Sequence, residues 1–331
     1  MVAWIWAAFI IVILCLLALD LGVFHRKDRA VSTREAIGWT LLWVGLALAF
    51  TMLVYFMYEG HWLGIGKTTF PALTGKQAAL KFLTGYLIEK SLSLDNIAVI
   101  AMIFAYFAVP LKYQHRVLFW GILGAIVMRG VMIGAGITLV RRFDWIVYVF
   151  GAFLLFTAFR MMHPGGHGPK FKDSRVLRLA RRFFLVTEEI SRNRFFVRVD
   201  GKRAATPLLL VLLMVESSDV VFAVDSIPAI LAVTIDPFLV FTSNIFAILG
   251  LRSLYFALAN MLDRFRYLRV SLVVILAYVG IKLLLSRHVH VPAAVSLAVI
   301  GLSLAAGVAG SLIAAGMKKR DNGRKHKEPR R

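Results

Sequence analysis

The chain has 331 residues, 60% of them hydrophobic and 17% charged, against about 25% charged in a typical globular domain. That composition leaves almost no room for a soluble fold. The 39 Lys+Arg and 18 Asp+Glu give a net charge of +21, but the basic residues alternate with long apolar runs and do not line one face, which argues against a nucleic-acid partner.

Crossing a bilayer core takes about 20 helical residues. Nine apolar runs of roughly that length follow one another: 2–24, 36–58, 78–109, 117–140, 145–162, 206–234, 238–260, 270–286 and 291–317. The first has no basic segment before it and no obvious small-residue cleavage site after it, so it reads as a retained span and not as a signal peptide. The single cysteine, Cys15, lies inside it, which rules out a disulfide framework and a thiolate metal site. The expected fold is all-α, a polytopic transmembrane helical bundle of about nine spans. Residues 1–162 supply spans one to five and 206–317 supply spans six to nine.

The intervening loop, 163–205, is too short for a core of its own. Asp173 and Ser174 suit the cap of an amphipathic helix to about Leu185, with Val176, Leu177 and Leu179 opposite Arg175, Arg178, Arg181 and Arg182. Asp200-Gly201 fits a tight turn between strands at 195–199 and 202–205. This basic segment is expected to lie on the inner surface as a connector. Residues 318–331 are expected to form a disordered basic tail.

Nine spans place the termini on opposite sides. With the N-terminus outside, the inner segments carry 28 of the 39 Lys+Arg and the outer segments 5, so the positive-inside rule predicts N-out and C-in. Anionic lipid head groups on the cytoplasmic face are the partners that follow from this.

A carboxylate at mid-bilayer costs roughly 2.5 to 3.5 kcal/mol on insertion scales, so buried acids mark candidate sites. Five of the 18 fall in two short windows. Span three holds Glu89, Asp95 and Asn96; span six holds Glu216, Asp219, Asp225 and Ser226. Aligning Glu89 with Asp219 places Asp95 on Asp225 and Asn96 on Ser226. Because the two spans run in opposite directions, the windows form an inverted repeat, a device by which secondary transporters build a midplane site. At 100° per residue Glu89 and Asp95 point about 120° apart. Either one acid of each pair serves another neighbour, or spans three and six are interrupted, near Ser91 and Ser93 in one and at Pro228 in the other.

These are hard oxygen donors, which suit Mn²⁺, Mg²⁺ or Ca²⁺ better than copper or zinc. Arg129 in span four, with Lys90 and Arg252, is placed to balance the acids, and Arg129 to stand in for a cation or proton during a cycle. Asp20 is divided between helix-end anchoring and an inner gate, Asn244 between a ligand and an interhelical hydrogen bond, and Lys282 is expected to snorkel to the outer surface. No nucleophile–base pair or cofactor motif appears, so neither an enzyme nor a permanently bound cofactor is expected.

The two acidic windows, the stretch from Ala205 to Ala229 that contains the second, the Thr242 to Arg252 segment and Ala18 to His25 together resemble the TerC/Alx family of bacterial integral membrane proteins, within the wider LysE-like transporter superfamily. The resemblance covers nearly the whole chain except the tail. It implies a multi-pass protein of the bacterial inner membrane linked to manganese homeostasis and tellurite-resistance operons, with Mn²⁺ as transported substrate and Glu89, Asp95, Glu216, Asp219 and Asp225 at the acidic positions. Proton coupling through these carboxylates fits such a carrier. A Ca²⁺ or other cation/proton antiporter, or a membrane scaffold of a tellurite-resistance or stress complex, are the alternatives.

Overall fold

The computed structural model describes residues 2–24, 33–65, 72–162, 175–187, 194–199, 202–258, 267–286, 288–289 and 291–325. Among them helices occupy all nine apolar runs: α1 (Val2–Phe24), α2 (Thr33–Glu59), α3 (Gly75–Tyr106), α4 (Leu111–Arg142), α5 (Ile146–Met162), α7 (Pro207–Leu231), α8 with α9 (Pro237–Leu249, Leu251–Leu258), α10 (Leu268–Leu284) and α11 (Ala293–Lys325). Five of these, at 34–59, 111–142, 207–231, 237–258 and 293–311, are long and apolar enough to cross a membrane by length and composition alone. The protein is an all-α membrane protein. α3 has the length as well, but it carries Lys81, Glu89, Lys90 and Asp95 in its interior.

The expected interruptions of spans three and six do not occur. α3 runs unbroken for 32 residues and α7 for 25. In α3 the hydroxyls of Ser91 and Ser93 donate to the carbonyls of Leu87 and Glu89, four residues back, so the serines decorate the helix without opening it. Pro228 lies in the last turn of α7, where few residues follow it and the helix ends at Leu231 regardless. The break falls instead at Gly250, between α8 and α9. The tail also departs from expectation: α11 continues to Lys325, since the residues after Met317 are rich in Lys and Arg, which are good helix formers.

Local chemistry fixes the ends of α3. Thr74 and Gln77 form a reciprocal capping box at its start. At its end the Val109 N–H donates to Phe104 O and the Ala108 N–H to Ala105 O, a Schellman turn with Ala108 at φ 47°, where glycine is usual. Asp236 caps α8 by accepting from the Phe238 and Leu239 N–H groups.

Three apolar clusters hold the bundle together. Ile5, Phe9, Ile13 and Leu17, four residues apart on α1, dock beside Phe82 of α3 and Phe238 and Phe246 of α8. The second cluster joins α3, α4, α5, α7 and α10. There α5 and α10 touch backbone to backbone, because a Cβ on Gly151 would stand 3.0 Å from the Gly280 carbonyl and the reverse holds equally. α3 packs on α8 as α7 packs on α4. Gly85 lies by Ile230, and Asn96 reaches Asp219, so α3 and α7 cross antiparallel.

In the connector, α6 (Arg175–Phe183) and the hairpin β2 (Phe196–Val199) and β3 (Lys202–Ala205) match expectation. The expected capping residues Asp173 and Ser174 and the turn at 200–201 lie outside the described residues. A two-residue strand, β1 (Leu185–Val186), was not foreseen; it pairs parallel to β3 and completes a three-stranded sheet. The buried face of α6 is Leu177 with Ala180, while Leu179 is 57% exposed. Spacing of three brings the first pair onto one face, and two residues separate Leu179 from Leu177 by about 200°.

Candidate functional site

Five residues from four helices meet at the centre of the bundle. Arg129 of α4, buried to 1% exposure, spans Asp219 of α7 in a two-pronged pair, Nε to Oδ2 at 3.0 Å and Nη2 to Oδ1 at 2.8 Å. Its third nitrogen, Nη1, donates to Glu89 of α3. Asn244 of α8 donates to the other oxygen of Glu89 at 3.0 Å, and Asn96 of α3 donates to Asp219 at 3.4 Å. One guanidinium facing two carboxylates leaves a formal charge of −1 when all three are ionised.

The positions follow from the helix register. Glu89 and Asn96 are seven residues apart, close to two turns, so they share a face. Glu89 and Asp219, aligned by the two windows, come together through Arg129 as the antiparallel crossing brings equivalent points into register. Asp95 and Asp225 point elsewhere, as an unbroken helix requires. Asp225 accepts from the Thr157 hydroxyl of α5 at 3.0 Å, with Arg160 exerting its charge from the same helix. Asp95 is acted on by the charge of Arg269 on α10. Ser226 is buried at 1% exposure and its hydroxyl has no bonded partner among the described residues. Glu216 is half-buried and lies against Gly124 of α4, where a Cβ would collide with its carboxylate. Among the described residues no three His, Cys, Asp or Glu side chains converge on one point.

A cavity of about 20 Å³ adjoins the cluster, bordered by Asn96, Ser218, Asp219 and Arg252. Its size admits about one water-sized occupant. Asn96 has room for a further partner there, since its Oδ1 is buried and unpaired among the described residues.

Other residues fall differently from expectation. Among the described residues Lys90 pairs with no acid; its ammonium donates to the Ala247 carbonyl at 3.2 Å, in the last turn of α8 and beside Gly250. Lys282 does not reach free to the surface but donates to Ser296 of α11 at 2.8 Å. Asp20 sits on α1, and its side chain lies outside the described residues. His115 lies in the first turns of α4 with its ring 4.2 Å from that of Phe256. Thr157 was not singled out by sequence; a lone hydroxyl amid an apolar run is a faint signal.

The residues from 74 to 322 match the model of the integral membrane protein TerC family. An uncharacterized membrane protein of Myxococcus xanthus is 48% identical over 309 residues, 93% of this chain and 92% of its own length. An Alx protein of Escherichia coli (strain K12), whose name proposes a membrane-bound redox modulator, is 48% identical over 89% of this chain and 90% of its own length. A membrane protein of Rickettsia bellii is 38% identical over 93% of this chain and 97% of its own length. No solved structure matches the chain. With its acidic windows on two antiparallel helices and a family match over three quarters of its length, the chain belongs to the TerC family of integral membrane proteins.

Proposed function

We propose that this protein is a secondary transporter exporting divalent metal cations, Mn²⁺ foremost, through the carboxylates of α3 and α7. One observation carries the reading: Arg129, a buried positive charge, is held between an acid from each motif helix. A site that binds a guanidinium by two carboxylates offers the same oxygens to a metal cation when the arginine withdraws. Arg129 is then an internal stand-in that keeps Glu89 and Asp219 paired between transport events. Asn96, Asn244, Ser226, Asp95, Glu216 and Asp225 extend the oxygen set along the path, with protons returning through one or more of the carboxylates. The preference for Mn²⁺ rests on the resemblance to the family.

All nine helical segments span the membrane in this reading, N-terminus outside and C-terminus in the cytoplasm. α3–α4–α5 and α7–α8/α9–α10 form two inverted repeats, supported by the antiparallel crossing of α3 and α7 and by the exchange in which α3 packs on α8 and α7 on α4. Alternating access follows if one repeat rocks against the other. The name of the Alx relatives points to redox modulation. With Cys15 as its one cysteine, this chain has no dithiol pair of its own, and we connect the two through export of a redox-active cation.

Asp95→Asn and Asp225→Asn should abolish Mn²⁺ efflux from loaded vesicles while the protein still inserts. Efflux at the wild-type rate in both variants overturns the site assignment. A competition series with Ca²⁺, Mg²⁺ and Zn²⁺ separates manganese export from a Ca²⁺/proton antiporter.

A further inference from the structure

The connector 163–205 takes no part in the chemistry above, yet it carries both strong charge and exposed apolar surface. Within α6 the arginines at 175, 178 and 182 lie on one stripe, and Arg181 stands beside it. All four are exposed. Leu177 and Ala180 on the opposite side join the apolar cluster containing Leu208 and Val211 of α7, which fastens α6 to the end of the bundle. Between these faces the chain leaves Phe183 at 71% and Leu185 at 60% exposure. No acidic residue occurs from 175 to 187, and Glu188 and Glu189 follow in the sequence.

Beside α6 opens a groove of about 840 Å³, lined by Phe107, Pro110, Phe184, Val186 and Leu210, with Arg181 at its edge. Its walls are membrane-helix ends: Phe107 caps α3, Pro110 begins α4 and Leu210 sits in the first turn of α7. The groove therefore lies at one end of these helices, its side chains mostly apolar apart from Thr187 and Arg181. A helix presenting arginines and exposed phenylalanine and leucine at that level has the make-up of an interfacial element.

We propose that this groove is a binding site for an anionic phospholipid, with the phosphate held by Arg181 and Arg178 and the upper acyl chain laid along Phe184, Val186 and Leu210. Charge complementarity favours this occupant, because Arg181 stands at the edge of the groove and the arginines at 175, 178 and 182 are exposed on the same short helix, while the mostly apolar side chains of the lining offer surface that a free phosphate would leave uncovered. An acidic peptide would meet the charge but not the continuity of the groove with the bilayer. The site would tie the connector to the membrane and make its position on α7 dependent on lipid charge. This inference needs only the membrane location of the chain, so it stands or falls separately from metal transport.

The test titrates phosphatidylglycerol and phosphatidylcholine into the detergent-purified full-length protein and follows bound lipid by native mass spectrometry, with thermal unfolding as a second readout. Wild type should retain phosphatidylglycerol in preference to phosphatidylcholine. Arg178→Gln with Arg181→Gln should weaken that preference about tenfold or more, given ~1 kcal/mol per basic residue near an anionic surface. Val186→Trp, which fills the groove and keeps the arginines, should lower occupancy by both lipids. Equal retention of the two lipids by wild type, an unchanged preference in the double arginine variant, or displacement of bound lipid by an acidic peptide at equal concentration would each overturn the proposal. If the double variant unfolds in detergent, Arg178→Lys with Arg181→Lys serves instead, and it should retain most of the preference.

Discussion

Arg129, buried between the carboxylates of Glu89 and Asp219, carries a large electrostatic stake in the bundle. Breaking a buried ion pair by removing one partner costs about 3 to 5 kcal/mol, because the other charge is left buried and uncompensated. Arg129→Met should therefore lower the unfolding temperature of the purified protein sharply. Adding Glu89→Gln and Asp219→Asn to it should recover most of the loss, since the three changes together remove the charges as a set. A triple variant as unstable as the single one would show that the cluster is not held by charge balance. A milder case is Ala108, held at φ 47° in the Schellman turn of α3. Ala108→Gly should raise stability by a few tenths to about 1 kcal/mol, the left-handed strain relieved less the added freedom of the unfolded chain. At this scale the sequence was informative about divergence: 100° per residue separates Glu89 from Asp95, and the two do serve different neighbours. It was silent on Thr157 and wrong about Lys90, which it set against the acids, because both depend on which helix comes alongside, and no local pattern encodes that.

Among elements, the sequence located the helices well and their interruptions poorly. Apolar length is a strong signal for a buried helix, and each of the nine runs holds one. Breaks are harder to read, since Ser91, Ser93 and Pro228 have breaking tendencies that their contexts absorb. Gly250, a single glycine in an apolar run, marks the actual break. Lys90 bonds a terminal carbonyl of α8 there and acts as its cap, with a cation placed at the negative end of the helix. Lys90→Met should cost about 1 to 3 kcal/mol by leaving the Ala247 carbonyl buried and unpaired; equal stability of the variant in a chemical-denaturation series would remove the capping role. The α5–α10 contact gives a second check. Gly151→Leu has no room beside Gly280 and Leu284, and overpacking of this kind costs about 1 to 3 kcal/mol. The small sheet shows the other limit of legibility: the β2–β3 hairpin could be read from Asp200-Gly201, whereas the parallel pairing of β1 joins residues 19 apart through no turn signal at all.

For the whole molecule, the net charge of +21 and the scarce acids separate into two functions in this account. Most basic residues record how the chain is threaded, and a reporter fused after Arg331 should be active only on the cytoplasmic side; activity in the periplasm would reverse the topology. The acids record what the bundle holds. Glu89, Asp219 and Arg129 show why the site was only half legible: the windows announced paired carboxylates and their antiparallel arrangement, and Arg129 was expected to balance them, but which two acids it joins, while Asp95 and Asp225 turn to other helices, is a property of the packed state. The measurement that bears most directly on this is Mn²⁺ flux into proteoliposomes containing the purified protein. Wild type should carry Mn²⁺ faster than protein-free liposomes, and Asp219→Asn should slow it by about tenfold or more, the loss expected for ~1.4 kcal/mol or more of cation stabilisation. Wild-type flux no greater than that of empty liposomes, or undiminished flux in Asp219→Asn, would contradict it.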